Sequence, residues 1–184
     1  MSTAVADKVE VLAEAGVGRP VVALADGLAA SPALAALAQR FQVTVVKAAS
    51  AEALAAWIAA SGAEAVGVLA SGAQVATALA AAEACETIKA LVLVSPQGVL
   101  PVERRPGGPA PKAVLVGSLD ASQPRDALAA YRRALPASHV VLMYGAGADI
   151  AAERPDAFAD VAGDFFDRQG RFAFMTTSAA VLPD

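Results

Sequence analysis

Residues 65–85 read AVGVLASGAQVATALAAAEAC. The stretch opens on Ala65–Ala70, a short and nearly continuous apolar run of the kind that forms a strand buried on both faces of a sheet. Ser71-Gly72 interrupts the run, and Gln74–Cys85 then carries apolar residues on most faces, as expected of a helix packed against a sheet. A strand, a tight turn and a helix in that order make the first half of a parallel crossover.

The same alternation extends along the chain. Five further strands are expected at Pro20–Ala25, Gln42–Lys47, Ala90–Val94, Ala113–Gly117 and Val140–Tyr144. Helical spacing fills the gaps at Pro32–Phe41, Ala51–Ser61, Arg125–Leu135 and Pro155–Arg168. Ser31 and Ser50 are suitable N-caps for the first two, and Glu52 sits in the first turn of the second. The expected fold is therefore α/β, a three-layer sandwich built on a six-stranded, mostly parallel sheet, with residues 1–184 as one domain. Residues 1–18 read as a helix-like segment, Pro96–Pro111 (PQGVLPVERRPGGPAP) as an irregular surface crossing, and residues 170–184 as an apolar tail.

Composition narrows the function classes. Hydrophobic residues make up 57% and charged residues 17% of the chain, and much of the apolar excess is alanine. These values sit above and below the usual ~45–50% and ~25%. No run of about 18 apolar residues lacks a breaker or a charge, so no spanning helix is expected. The start carries Asp7, Lys8, Glu10 and Glu14 where a secretory signal would need an uncharged apolar run, so a cytoplasmic chain is expected. Cys85 is the only cysteine, which excludes an internal disulfide and a thiolate zinc cluster. The net charge of −4 argues against nucleic acid as a partner. Arg104-Arg105 and Arg132-Arg133 read as solvated surface charge. No metal and no cofactor is expected.

In open parallel sheets, sites lie at the carboxyl ends of the strands. The residues just past each expected strand are Asp26-Gly27, Ala48, Ser71-Gly72, Ser95-Pro96, Ser118–Asp120 and Gly145–Asp149. Four of these junctions together resemble the α/β-hydrolase family. Asp26-Gly27 stands where the family has His-Gly after a core strand. Val68–Gly72 stands at the G-x-S-x-G nucleophile elbow. Gly117-Ser118-Leu119-Asp120, with Pro124 soon after, is similar to the turn that carries the family's acid. Gly145-Ala146-Gly147-Ala148, followed by Glu153-Arg154-Pro155 and Phe158, is similar to the family's histidine loop and the helix after it. The resemblance covers about residues 19–169. It implies a reduced core without the family's cap domain and without its first two strands.

By this resemblance the triad positions fall on Ala70, Asp120 and Ala148, with Ser71 as the alternative elbow residue. A triad needs a nucleophile, a base within hydrogen-bond reach and an acid that orients the base. The single histidine, His139, opens the last strand, roughly 20 Å from the loop at ~3.3 Å per residue. The chain is therefore expected not to be an enzyme. Asp26, Asp120 and Asp149 read either as turn and cap residues or as carboxylates able to act as a base or hold a divalent cation. The resemblance also implies a remnant oxyanion hole and pocket from Asp26, Gly27, Leu28 and Ser71, with backbone N–H groups of Leu28 and Ser71 as donors. Ser71 alone reads as a helix cap and Cys85 as a small buried hydrophobe. The expected role is a catalytically inactive homologue acting through protein contacts as a subunit, scaffold or regulator. Its tail residues Phe172, Phe174, Met175, Val181 and Leu182 would dock on a protein partner or a second copy. The alternatives are a small-molecule binder using the remnant pocket, and a weak or atypical hydrolase using Ser71 or an aspartate.

Overall fold

The structure is a computed structural model that describes residues 9–98, 100, 110–123, 126–135 and 138–168. Seven strands form one sheet: β1 (Val9–Ala15), β2 (Arg19–Leu24), β3 (Phe41–Ala48), β4 (Val66–Ser71), β5 (Ile88–Val94), β6 (Lys112–Gly117) and β7 (Ser138–Met143). Their order across the sheet is β1-β3-β2-β4-β5-β6-β7. β1 runs antiparallel to β3, and every other pairing is parallel. The helices are α1 (Pro32–Ala38), α2 (Ala51–Ala60), α3 (Gln74–Ala84), α4 (Ala127–Ala134), α5 (Ile150–Glu153) and α6 (Pro155–Asp167), with a short 3₁₀ turn at Asp26–Ala30. None of the described helices is long and apolar enough to cross a membrane.

The sheet has seven strands, not six, because Val9–Ala15 is a strand and not part of a helix. Its sequence, VEVLAEA, is rich in helix formers. Pairing along β3, from Val9 opposite Ala48 to Ala15 opposite Val43, overrides that propensity. The register shifts between Val11 and Ala13, which breaks the two-residue alternation that would have marked a strand. Of the two strands expected to be missing, an antiparallel edge strand is thus present.

Alternation along the parallel strands sets up the three layers. Val22, Leu24, Val68, Leu91, Leu93 and Val114 enter one core, covered by α2, α3 and α4. Val21, Ala23, Leu69, Val92, Val94 and Leu115 enter the other, covered by α1 and α6. Ser31 Oγ accepts from Ala33 N–H, and Ser50 Oγ accepts from Ala53 N–H, each at 3.2 Å. These contacts satisfy N–H groups that have no partner inside the helix.

One close approach positions the functional end of the sheet. A Cβ on Gly117 would lie 2.0 Å from Gly147 O and 2.4 Å from Ala146 O. The loop after β7 therefore crosses directly over the end of β6, where only hydrogen fits. Leu119 N–H donates to Ala146 O at 2.8 Å and Gly145 N–H to Ser118 Oγ at 3.0 Å. Glu153 and Arg154, from the expected helix start, hold the same loop. The Glu153 carboxylate accepts from Gly147 N–H at 2.8 Å, and the Arg154 guanidinium donates to Tyr144 O at 2.6 Å.

Gly117→Ala is expected to lower stability by about 1–3 kcal/mol, since the methyl group meets backbone rather than a movable side chain. Thermal or denaturant unfolding checks this, and a variant as stable as the parent would show that the loop is not held there.

Candidate functional site

A cavity of about 220 Å³ opens at the carboxyl ends of β2, β4 and β5. Gly27 and Leu28 border it after β2, Ser71 and Gly72 at the end of β4, and Ser95 and Gln97 after β5. Ala148 and Asp149 close it from the loop after β7, and Phe158 of α6 adds an apolar wall. An apolar cavity of ~150 Å³ accommodates a benzene-sized guest, so this one is large enough for a small organic ligand.

The turn from β4 into α3 is made at Gly72, whose φ is +56. Left-handed backbone costs a residue with a side chain about 1–2 kcal/mol, and glycine escapes most of that cost. In hydrolase elbows the nucleophile occupies the sharp, strained turn between strand and helix. Neither expected elbow residue is at that turn. Ala70 is fully buried in the core among the α2, α3 and α4 side chains and does not reach the cavity. Ser71 is the last residue of β4, half-buried, and lines the cavity. The elbow position is Gly72. A Cβ placed there would lie 3.7 Å from Gln97 Cδ and 3.8 Å from its amide nitrogen and oxygen. Gly72 N–H donates to Val94 O at 2.9 Å, and Gln97 N–H donates to Gly72 O at 3.2 Å.

The expected oxyanion donor at Leu28 is engaged elsewhere. Its N–H donates to Ala25 O at 2.8 Å and closes the 3₁₀ turn. The groups that remain are the first N–H groups of α3, which by helix geometry have no intrahelical partner. The Val75 N–H reaches only 3.4 Å from Gly72 O. Asp149 caps α5 by accepting from Ala152 N–H through Oδ1 at 3.2 Å. Its Oδ2 points toward Gly27, 3.9 Å from where a Cβ on that glycine would be. Asp26 is exposed and does not line the cavity.

Asp120 belongs to a neighbouring polar cluster. Its Oδ1 accepts from Ser122 N–H at 3.0 Å and from Ser122 Oγ at 2.6 Å. Asp120 Oδ2 and Ser95 Oγ are both buried, and neither makes a hydrogen bond of ordinary geometry. Burial works against the charged form of Asp120, but the Ser122 and Ser95 hydroxyls outweigh it and hold the carboxyl below its usual range. Tyr131 Oη donates to Pro96 O at 2.8 Å and lies 2.5 Å from Gln123 Oε1. Its ionisation is pushed up by burial and then by the Asp120 charge. Ser95 has a left-handed φ of 41, a strained conformation that places it between this cluster and the cavity.

The structure therefore brings Gly27, Leu28, Ser71, Ala148 and Asp149 to one cavity and leaves Ala70, Asp26 and Asp120 outside it. Gly72 and Ser95, expected just past their strands, join it, and so does Gln97, which carries no signal in the sequence. The glycine after Ser71 was the available signal for the elbow. His139 lies in β7 opposite Ala113, with its ring edge-on to Phe165 at 6.5 Å. Cys85 is buried at the end of α3. Among the described residues no three His, Cys, Asp or Glu side chains gather as metal ligands. Tail residues Phe172, Phe174, Met175, Val181 and Leu182 lie outside the described residues, as do Pro124, Arg104 and Arg105 and most of the Pro96–Pro111 crossing.

A parallel sheet covered on both faces, a left-handed strand-to-helix turn and a loop folded over the last strands define the α/β-hydrolase fold. The solved structures similar to this chain bear that out. An α/β hydrolase, MGS-MChE2, from the metagenome of sediments of the Mar Chica lagoon in Morocco, superposes with a TM-score of 0.71 at 17% identity, covering 88% of this chain and 96% of its own. CarC, a serine hydrolase involved in carbazole degradation, gives 0.70 at 16% identity, covering 84% and 93%. A thermophilic esterase from Thermogutta terrifontis, solved with malate bound, gives 0.70 at 14% identity, covering 88% and 94%. No protein-family model and no curated protein matches the sequence. The expectation that the chain is not an enzyme is corrected by these neighbours, which are named hydrolases and esterases.

Because the folded Asp120 carboxyl titrates below its usual value of about 3.9, its contribution to stability is present above about pH 4 and is lost as pH falls through the folded value. Asp120→Asn is expected to be less stable than the parent at neutral pH, with the gap closing in acid. A gap that stays constant from neutral pH to about pH 2 in unfolding experiments would contradict this.

Proposed function

We propose that the cavity above Gly72 binds a small, mostly apolar molecule carrying a carbonyl group, of the ester, amide or carboxylic acid classes. The observation that carries this is the cavity itself, with apolar walls from Leu28, Leu69, Val94 and Phe158 and with Ser71 and Gly72 of the strand-to-helix turn at its edge. Apolar walls with a few convergent polar groups are the usual make-up of a ligand site. α3 begins two residues after Gly72 with the positive end of its helix dipole, which suits a carbonyl oxygen in the cavity.

Hydrolysis at the same cavity is the second reading. Two lining residues favour it: Ser71, which carries a hydroxyl, and Asp149, whose Oδ2 lies on the Gly27 side of the cavity rim. The names of the structural neighbours point the same way. In that reading Asp149 serves as the general base for Ser71 or for water, the part that histidine takes in the serine triad.

Thermal-shift and NMR titrations with small esters, amides and acids test binding. Malate belongs in the panel because the Thermogutta esterase was solved with it. Binding should be lost in Ala148→Trp, which fills the mouth from an exposed position and leaves the core intact. No response to any of these classes, or unchanged binding in Ala148→Trp, would overturn the assignment. Hydrolysis of an activated ester that falls at least tenfold in both Ser71→Ala and Asp149→Asn, with binding retained, would establish the second reading.

A further inference from the structure

We propose that this cavity selects a small neutral carboxamide over the matching carboxylate, with Gln97 as the specificity-determining residue. The proposal rests on the ligand-binding assignment above and adds the chemical class. Position 72 carries no side chain, and the space beside it is roofed by the Gln97 amide. All three atoms of that group come within 3.7–3.8 Å of the Cβ position. The Gln97 backbone is held there by its N–H bond to Gly72 O at 3.2 Å. A primary amide offers both a donor and an acceptor, so it pairs twice with a second amide and only once with an ester carbonyl.

Charge points the same way. Among the described residues, the one charged residue lining the cavity is Asp149, and no lysine or arginine lines it. Oδ2 of Asp149 is turned toward Gly27, while Oδ1 is used in capping α5. Asp120 and Asp26 add negative charge nearby without entering the cavity. The Arg154 guanidinium is occupied with Tyr144 O. A carboxylate ligand would meet Asp149 with no lining cation among the described residues to offset the repulsion. At separations of several ångströms near a surface, that repulsion lowers affinity by about tenfold or more. An amide instead offers its N–H groups to Asp149 Oδ2 and its carbonyl oxygen to Gln97 Nε2.

The test is calorimetric or NMR titration of the full chain with benzamide, methyl benzoate and benzoate at neutral pH. Benzamide is expected to bind at least about tenfold more tightly than benzoate. Gln97→Leu keeps the side-chain bulk and is expected to lose about tenfold in benzamide affinity while still binding methyl benzoate. Asp149→Asn is expected to narrow the gap between benzamide and benzoate. Benzoate binding as tightly as benzamide, or benzamide affinity unchanged in Gln97→Leu, would overturn the proposal while leaving the cavity as a ligand site. Failure of all three probes to bind would overturn it together with the ligand-binding assignment.

Discussion

The left-handed turn at Gly72 is the constraint on which the functional end of this molecule depends. β4 lies at the centre of the sheet, and the chain has only Gly72 and Ala73 in which to leave it and begin α3. A φ of +56 makes that possible, and glycine adopts it without a steric cost. The turn sets Ser71 and Gly72 on the cavity. It is held from β5 through Val94 O and from the next loop through Gln97 N–H. A residue with a side chain at this point would strain the turn and enter the space beside the Gln97 amide.

A second constraint comes from the opposite side. The loop after β7 is seated over β6 because Gly117 and Gly147 bring two backbones into contact. Glu153 and Arg154 then fasten that loop from the start of the last helices. Ser31 Oγ adds a tie from the α1 cap to Ala151 O at 2.8 Å. Ala148 and Asp149 are thus presented to the cavity by backbone geometry, whichever side chains they carry. The structure preserves the hydrolase-type frame. The side chains set within that frame are a glycine, a glutamine, a serine and an aspartate.

The parallel core was legible in the sequence because its strands are short apolar runs. Ala65–Ala70 was expected where Val66–Ser71 is found, and Ala113–Gly117 where Lys112–Gly117 is found. β1 was not legible, because an edge strand of helix-forming residues acquires its conformation from pairing with β3, a contact distant in sequence. Motif spacing points to Ala70 or Ser71 for the elbow, whereas the backbone demand for a positive φ falls on Gly72. Glycine is the residue that tolerates φ above zero, and Gly72 followed directly after both candidates. Leu28 was assigned as a donor from motif position, and the 3₁₀ turn that occupies its N–H left no clear mark in Asp26–Ala30. Gln97 was invisible for a similar reason, since its place over Gly72 depends on the loop after β5 and not on any periodic pattern.

The most direct measurement is an experimental structure of the chain with benzamide bound. The ligand is expected beside Gly72, with its amide between Gln97 and Asp149 and its ring against Leu28 and Phe158. A cavity left empty at saturating ligand, or benzamide seated elsewhere on the molecule, would contradict the assignment of this cavity as the functional site.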